Sequence, residues 1–162
     1  MKTVLEIFYL RIAGDRVRYQ RRQANLSRKD GDPDRMLKSY LQEKRRDPSG
    51  KVESREFIVH STSWRYERPD KVVLTYVAYS DQLKFERGKV KSLSMKRLST
   101  ITKKSRRPRS RAELEKKVVS HAMRHIAFLI QTEDSIDFES ALTPKTRKTF
   151  EKLWVSLDGQ VL

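Results

Sequence analysis

The chain contains no cysteine. Disulfides, iron–sulfur clusters and cysteine-based zinc sites are therefore excluded. A cysteine-free chain fits a reducing compartment, so the expected location is intracellular, in the cytoplasm or an organelle matrix. Glycine and proline number only five each. So few glycines leave little material for a phosphate-cradling loop. Nor is there a Walker loop, a Gly-x-Gly-x-x-Gly fingerprint, a Gly-x-Ser-x-Gly elbow or the acidic box of nucleotide hydrolases. No cofactor is expected. Long apolar runs are missing as well. The longest, Ile126 to Ile130, falls far short of the ~20 residues that span a bilayer. The opening "MKTVLEIFYLRIAG" is apolar, but Glu6 interrupts it and Arg11 follows closely. No small-residue cleavage site comes before more charge, so it reads as a strand and not as a signal peptide.

Acidic residues are also scarce. There are 21 Asp+Glu against 37 Lys+Arg, a net charge of +16. Such a surface attracts polyanions and repels itself, and solubility alone does not require it. The excess is uneven. Residues 81–111 hold twelve basic residues and two acids, for +10, whereas residues 112–162 sum to −1 and the first 80 to +7. A chain of 162 residues is expected to be a single domain. Its basic, β-rich part covers about 1–100, an exposed basic connection 102–111, and a neutral helical part 112–162.

The expected fold class is α+β. An antiparallel sheet is built from two or three hairpins, with one short mid-chain helix and two C-terminal helices packed on it. "TVLEIFYLRIA" and "RVRYQRRQ" flank Gly14-Asp15 and read as a hairpin, since glycine tolerates positive φ. A helical stripe through Val4, Leu5, Phe8 and Ile12 is the competing reading. Asp32 is placed to cap a helix that starts at Pro33 and carries Met36, Leu37, Tyr40 and Leu41 on one face. "REFIVHSTSWRY" and "KVVLTYVAYS", joined by "ERPD", form the clearest hairpin. By strict alternation Ile58, His60, Thr62, Trp64 and Tyr66 share one face. The second arm is apolar on both faces, which marks a central strand. A further hairpin around Arg87-Gly88 would project Lys89 and Lys91 together. "SRAE" matches a capping box with Ser110 as N-cap and Glu113 three residues on, opening a helix to about Gln131. A last helix has Thr143 as N-cap, Pro144 at its first position and Gly159 just past its end.

The charge points to nucleic acid, RNA foremost, held by its phosphate backbone. The residues expected to contact it are Arg16, Arg18, Arg21 and Arg22 on the first hairpin, and Lys89 and Lys91. The others lie in the connection: Lys103, Lys104, Arg106, Arg107, Arg109 and Arg111. Aromatics suited to base stacking exist, but Trp64, Tyr66, Tyr76 and Tyr79 lie in the most apolar region. They are expected in the core, leaving backbone and shape recognition as the mode.

The chain has three histidines, His60, His121 and His125. On a wheel at about 100° per residue, His125 falls inside the apolar arc of its helix and His121 on the margin. Histidines one turn apart can grip a metal, but the zinc-protease pattern needs a glutamate after the first histidine. Here Ala122, Met123 and Arg124 intervene, and no metal is expected. "HSTS" after Ile58-Val59 has the form His-x-[Ser/Thr]-x. It resembles one half of the signature of two-histidine phosphoesterases. That family carries two such tetrapeptides on two strands, and this chain has one. The resemblance implies His60 and Thr62 as a catalytic pair, and His121 and His125 complete the candidate set.

Three readings compete. The first, which leans against an enzyme, is a basic module bound to RNA or ribonucleoprotein. The second is a histidine-based enzyme or binding protein for an anionic, phosphate-bearing substrate, which requires the three imidazoles to converge in an open pocket. The third is an assembly subunit that meets a protein partner through the C-terminal helices, with Phe150 and Trp154. A structural role, each imidazole bonded to a nearby hydroxyl or carbonyl, is the plain alternative for the histidines.

Overall fold

The computed structural model describes residues 1–27, 31–46, 49–51, 56–103, 107–133 and 140–158. The elements run β1 (Lys2–Ala13), β2 (Arg16–Leu26), α1 (Pro33–Arg45), β3 (Ile58–Arg68), β4 (Lys71–Tyr79), β5 (Lys91–Ser94), α2 (Met95–Lys103), α3 (Arg111–Thr132) and α4 (Pro144–Asp158). The five strands form one sheet in the order β3-β4-β1-β2-β5.

Turn chemistry fixes the first hairpin. Ala13 lies opposite Arg16, so Gly14-Asp15 is a two-residue loop. Gly14 has φ +61° and Asp15 does not have positive φ, the pattern of a II′ turn with glycine first. The β3–β4 hairpin turns through Pro69-Asp70. The two hairpins then join side by side through β1 and β4, which run parallel with Leu5 opposite Leu74 and Phe8 opposite Val77. The sheet is thus mixed and not wholly antiparallel. Parallel neighbours need a crossover, and α1 with β3 supplies the length of chain to make it.

Helices cover both faces. On one, Phe8, Leu10, Val17, Tyr19, Val77 and Tyr79 pack against Val119, Ala122, Met123 and Ile126 of α3, with Leu98 of α2 and Phe150 and Leu153 of α4. Each buried Val, Leu, Ile, Phe or Met side chain among them stabilises the fold by about 1.5–3 kcal/mol relative to exposure. On the other face Leu5, Ile7, Tyr9 and Ala78 meet Leu37 and Leu41 of α1 and Leu83 of the following loop. The expected caps form. Asp32 accepts from Asp34 N–H at 3.0 Å, Ser110 from Glu113 N–H at 3.2 Å, and Thr143 from Thr146 N–H at 3.2 Å. Glu113 reaches back to Arg109 N–H at 2.7 Å. Asp81 ties α4 to the sheet, accepting Tyr79 O–H at 2.7 Å and Thr143 N–H at 2.6 Å. Gly159 lies outside the described residues.

Three expectations are corrected. Residues 81–90 are turns and coil and do not form a hairpin. The short β5 that follows pairs with β2, and α2 begins directly after it. Lys89 and Lys91 do not act together: Lys89 meets Glu86 at 3.0 Å and Lys91 meets Glu115 at 2.6 Å. Along β3, the register shifts from Ser61 opposite Tyr76 to Ser63 opposite Thr75. This bulge turns the strand over. Ile58 and His60 face α3, but Arg65 now takes that face, where it reaches Glu6, and Trp64 and Tyr66 point to the opposite one. They are 64% and 61% exposed, while Tyr79 is fully buried, as expected of it.

A basic cleft and a histidine pocket

The β1–β2 register sets two arginines side by side. Arg11 lies directly opposite Arg18, three residues to either side of the Gly14-Asp15 loop. Like charges paired across strands destabilise a hairpin by a few tenths to about 1 kcal/mol. Phe85 of the following loop lies over both guanidinium groups, 5.5 Å from Arg11 and 5.7 Å from Arg18. Arg11 also donates to the Leu83 carbonyl at 2.8 Å, which holds the loop in place. These groups line a cleft of about 680 Å³ together with Lys84, Glu86 and Arg87. Among the described residues it holds four cations and one carboxylate. That carboxylate, Glu86, is already occupied by Lys89 at 3.0 Å and Lys44 at 3.9 Å, and Lys89 with Lys44 holds it below the usual carboxylate range.

The basic strip continues along β2. Arg22 shares the cleft face with Arg18, 3.8 Å from the centre of the Tyr40 ring and 2.8 Å from Glu43. Arg16, exposed at the hairpin end, donates to Ser92 at 2.9 Å. Arg21 points to the other face, into a buried ion cluster. It lies 2.6 Å from Glu6 and 3.8 Å from Glu115, and Arg65 reaches Glu6 at 2.8 Å. Burial alone would raise the Glu6 pKa, but hydrogen bonds and charge from Arg65 and Arg21 outweigh it and bring the value down to about 2. Arg21 is therefore committed inside the fold. Glu115, one turn into α3, also holds Lys91 of β5. This contact anchors the start of α3, with exposed Arg107, Arg109 and Arg111, beside the β5 edge. Lys103 ends α2, and Lys104 and Arg106 lie outside the described residues.

The histidines do converge. His60 Nε2 lies 3.0 Å from His125 Nδ1. The His60 and His125 ring centres are 5.0 Å apart, and those of His121 and His125 are 4.1 Å apart. His125 is half-buried and His121 exposed, in keeping with their places on the helical wheel. Desolvation where the rings pack against their neighbours lowers the pKa of both, with Arg124 and the other imidazoles adding to it, so both favour the neutral form. Beside them opens a pocket of about 400 Å³, lined by His121, Arg124, His125, Phe128 and Trp154. Thr62 is not part of it: at the bulge its hydroxyl donates to the Thr75 carbonyl at 3.2 Å. Among the described residues no group of three His, Asp or Glu side chains is arranged to hold a metal. Phe150, offered above as a partner contact, is fully buried against Tyr79 with ring centres 5.1 Å apart.

The fold is one already seen. The chain is similar to a crystal structure of Shewanella oneidensis NrtR complexed with a 27-mer DNA, at a TM-score of 0.53 and 11% sequence identity, over 97% of this chain and 76% of that one. At that identity the likeness is one of fold. No family model matches the chain, and no curated protein matches it in sequence. Among the described residues no helix is long and apolar enough to cross a membrane.

The cleft residues Arg11, Lys84, Phe85 and Arg87 are absent from the contacts expected from sequence. One signal for them is present. Arg11 and Arg18 are equidistant from the Gly14-Asp15 turn, so the hairpin reading already implies that they meet. Among the pocket residues, Arg124 and Phe128 follow His121 at helical spacing on α3, so their shared face has a local signal, whereas Trp154 joins them only where α4 meets α3 in the tertiary fold.

Proposed function

We propose that this protein binds nucleic acid through the phosphate backbone, with the basic cleft as the centre of the interface. The observation that carries this reading is the Arg11–Arg18 pair. Two cations stand opposite each other across a hairpin with an aromatic ring on top, and the one carboxylate lining the cleft among the described residues, Glu86, is engaged by Lys89. An anion between them relieves their repulsion. Arg22 extends the strip on one side, and Arg16 with Arg107, Arg109 and Arg111 lies toward the β5 edge. Lys103, Lys104 and Arg106 belong to the same basic connection. The fold's likeness to a protein crystallised with DNA is in keeping with this reading.

The polymer is RNA on this account. Trp64 and Tyr66 stand exposed on the edge strand, edge to face with centres 5.5 Å apart. They offer a stacking surface that a paired duplex does not use and unpaired bases do. The test is a binding titration with mixed-sequence single-stranded RNA, duplex RNA and duplex DNA. Affinity for the single strand should fall at least about a hundredfold from 50 to 200 mM salt. Replacing Lys103, Lys104, Arg106, Arg107, Arg109 and Arg111 with glutamine should flatten that dependence. Binding that ignores salt removes the backbone reading. Equal affinity for duplex DNA removes the RNA assignment.

A further inference from the structure

The histidine pocket is a second site, on the opposite face of the sheet from the cleft. Among the described residues its lining has one half-buried cation, Arg124, and no carboxylate. Arg124 meets no acidic partner among the described residues. One wall is aromatic. Phe128 and Trp154 lie 5.6 Å apart, and Phe128 is 46% exposed despite sitting beside the core. An exposed ring next to a guanidinium with no acidic partner among the described residues is a surface that a planar, anionic ligand can cover. The volume, about 400 Å³, lies in the range of small-molecule sites and has room for a base, a sugar and a phosphate.

The imidazoles add direction. His60 and His125 share one hydrogen bond, so one ring nitrogen donates and the other accepts. When His60 donates, His125 Nδ1 is the acceptor and the His125 proton sits on Nε2. An anion in the pocket favours that tautomer, because it turns a donor toward negative charge.

We propose that this pocket binds a nucleoside phosphate, its base stacked on Phe128 and Trp154 and its phosphate held by Arg124 and His125. The ligand is a free mononucleotide or the phosphorylated end of a nucleic-acid chain, which present the same chemistry. The inference stands apart from the backbone-binding cleft.

The test uses the intrinsic fluorescence of Trp154. The chain has two tryptophans, so W64F isolates the pocket signal. Adenosine monophosphate should quench it with half-saturation below about 1 mM. Adenosine and inorganic phosphate, each supplying half of the ligand, should bind at least tenfold more weakly. R124Q should reduce the monophosphate to the level of adenosine, and F128A should weaken both by a similar factor. Competition by a 5′-phosphorylated trinucleotide at equal concentration assigns the site to chain ends, and its failure to compete assigns it to free nucleotides. No quenching at about 10 mM monophosphate, or quenching unchanged by R124Q, overturns the proposal. R11Q/R18Q separates the two sites. It should leave monophosphate binding intact while weakening polymer binding, and R124Q should leave the salt dependence of polymer binding intact.

Discussion

Replacing Glu6 with glutamine tests the electrostatic centre of the fold. Glu6 is 1% exposed and accepts from Arg65 at 2.8 Å, Arg21 at 2.6 Å, Gln23 at 2.8 Å and Thr75 at 3.0 Å. Its pKa falls from 4.5 to about 2 on folding. Each tenfold change in proton affinity corresponds to about 1.4 kcal/mol, so the carboxylate contributes on the order of 3 kcal/mol at neutral pH. The sign follows from the direction. A depressed pKa means that the stabilisation is complete above about pH 4.5 and disappears as pH falls toward 2. E6Q keeps the shape and removes the charge. It also leaves Arg65 and Arg21, both half-buried, with weaker partners. Urea denaturation followed by circular dichroism should show a loss of about 3 kcal/mol at pH 7. The difference from wild type should shrink steadily below pH 4.5. A loss under about 1 kcal/mol, or one that is constant down to pH 2.5, refutes the reasoning.

Other outcomes follow from single contacts. D81A removes the acceptor for both Tyr79 O–H and Thr143 N–H, and should cost about 2–4 kcal/mol by chemical denaturation. F150A empties a fully buried site between α4 and the sheet and should cost about 3–5 kcal/mol. W64A/Y66A removes two exposed rings. Stability should move by less than about 1 kcal/mol, while single-stranded RNA binding weakens at least tenfold and duplex binding does not. Equal weakening for both nucleic acids contradicts the stacking role.

The hairpins were legible because their signals are local. Gly14-Asp15 and Pro69-Asp70 bracket alternating strands, and Asp32, Ser110 and Thr143 each stand one residue before a helix. The parallel join of β1 to β4 was not legible, since nothing in either strand encodes which neighbour it takes. The bulge at Ser61–Ser63 was hidden for another reason: a run of small polar residues carries no period, so its extra residue leaves no mark in the pattern. That one residue decides that Trp64 and Tyr66 face solvent on the side away from His60. The helix α2 had a faint signal in Met95, Leu98 and Ile101, three apart, beneath a basic and serine-rich surface. Of the expected contacts, the helical wheel placed His121 and His125 well, but their meeting with His60 depends on how α3 crosses β3.

The most direct measurement of the central claim is the salt dependence of RNA binding by an R11Q/R18Q/R87Q variant. Fluorescence anisotropy with a labelled single strand of about 20 nucleotides serves as the assay. Each neutralised phosphate contact should reduce the slope of log affinity against log salt by about 0.7. Three substitutions should therefore flatten it by about 2 and weaken binding most at low salt, with the circular dichroism spectrum unchanged. Affinity and slope equal to wild type would contradict the cleft as the interface.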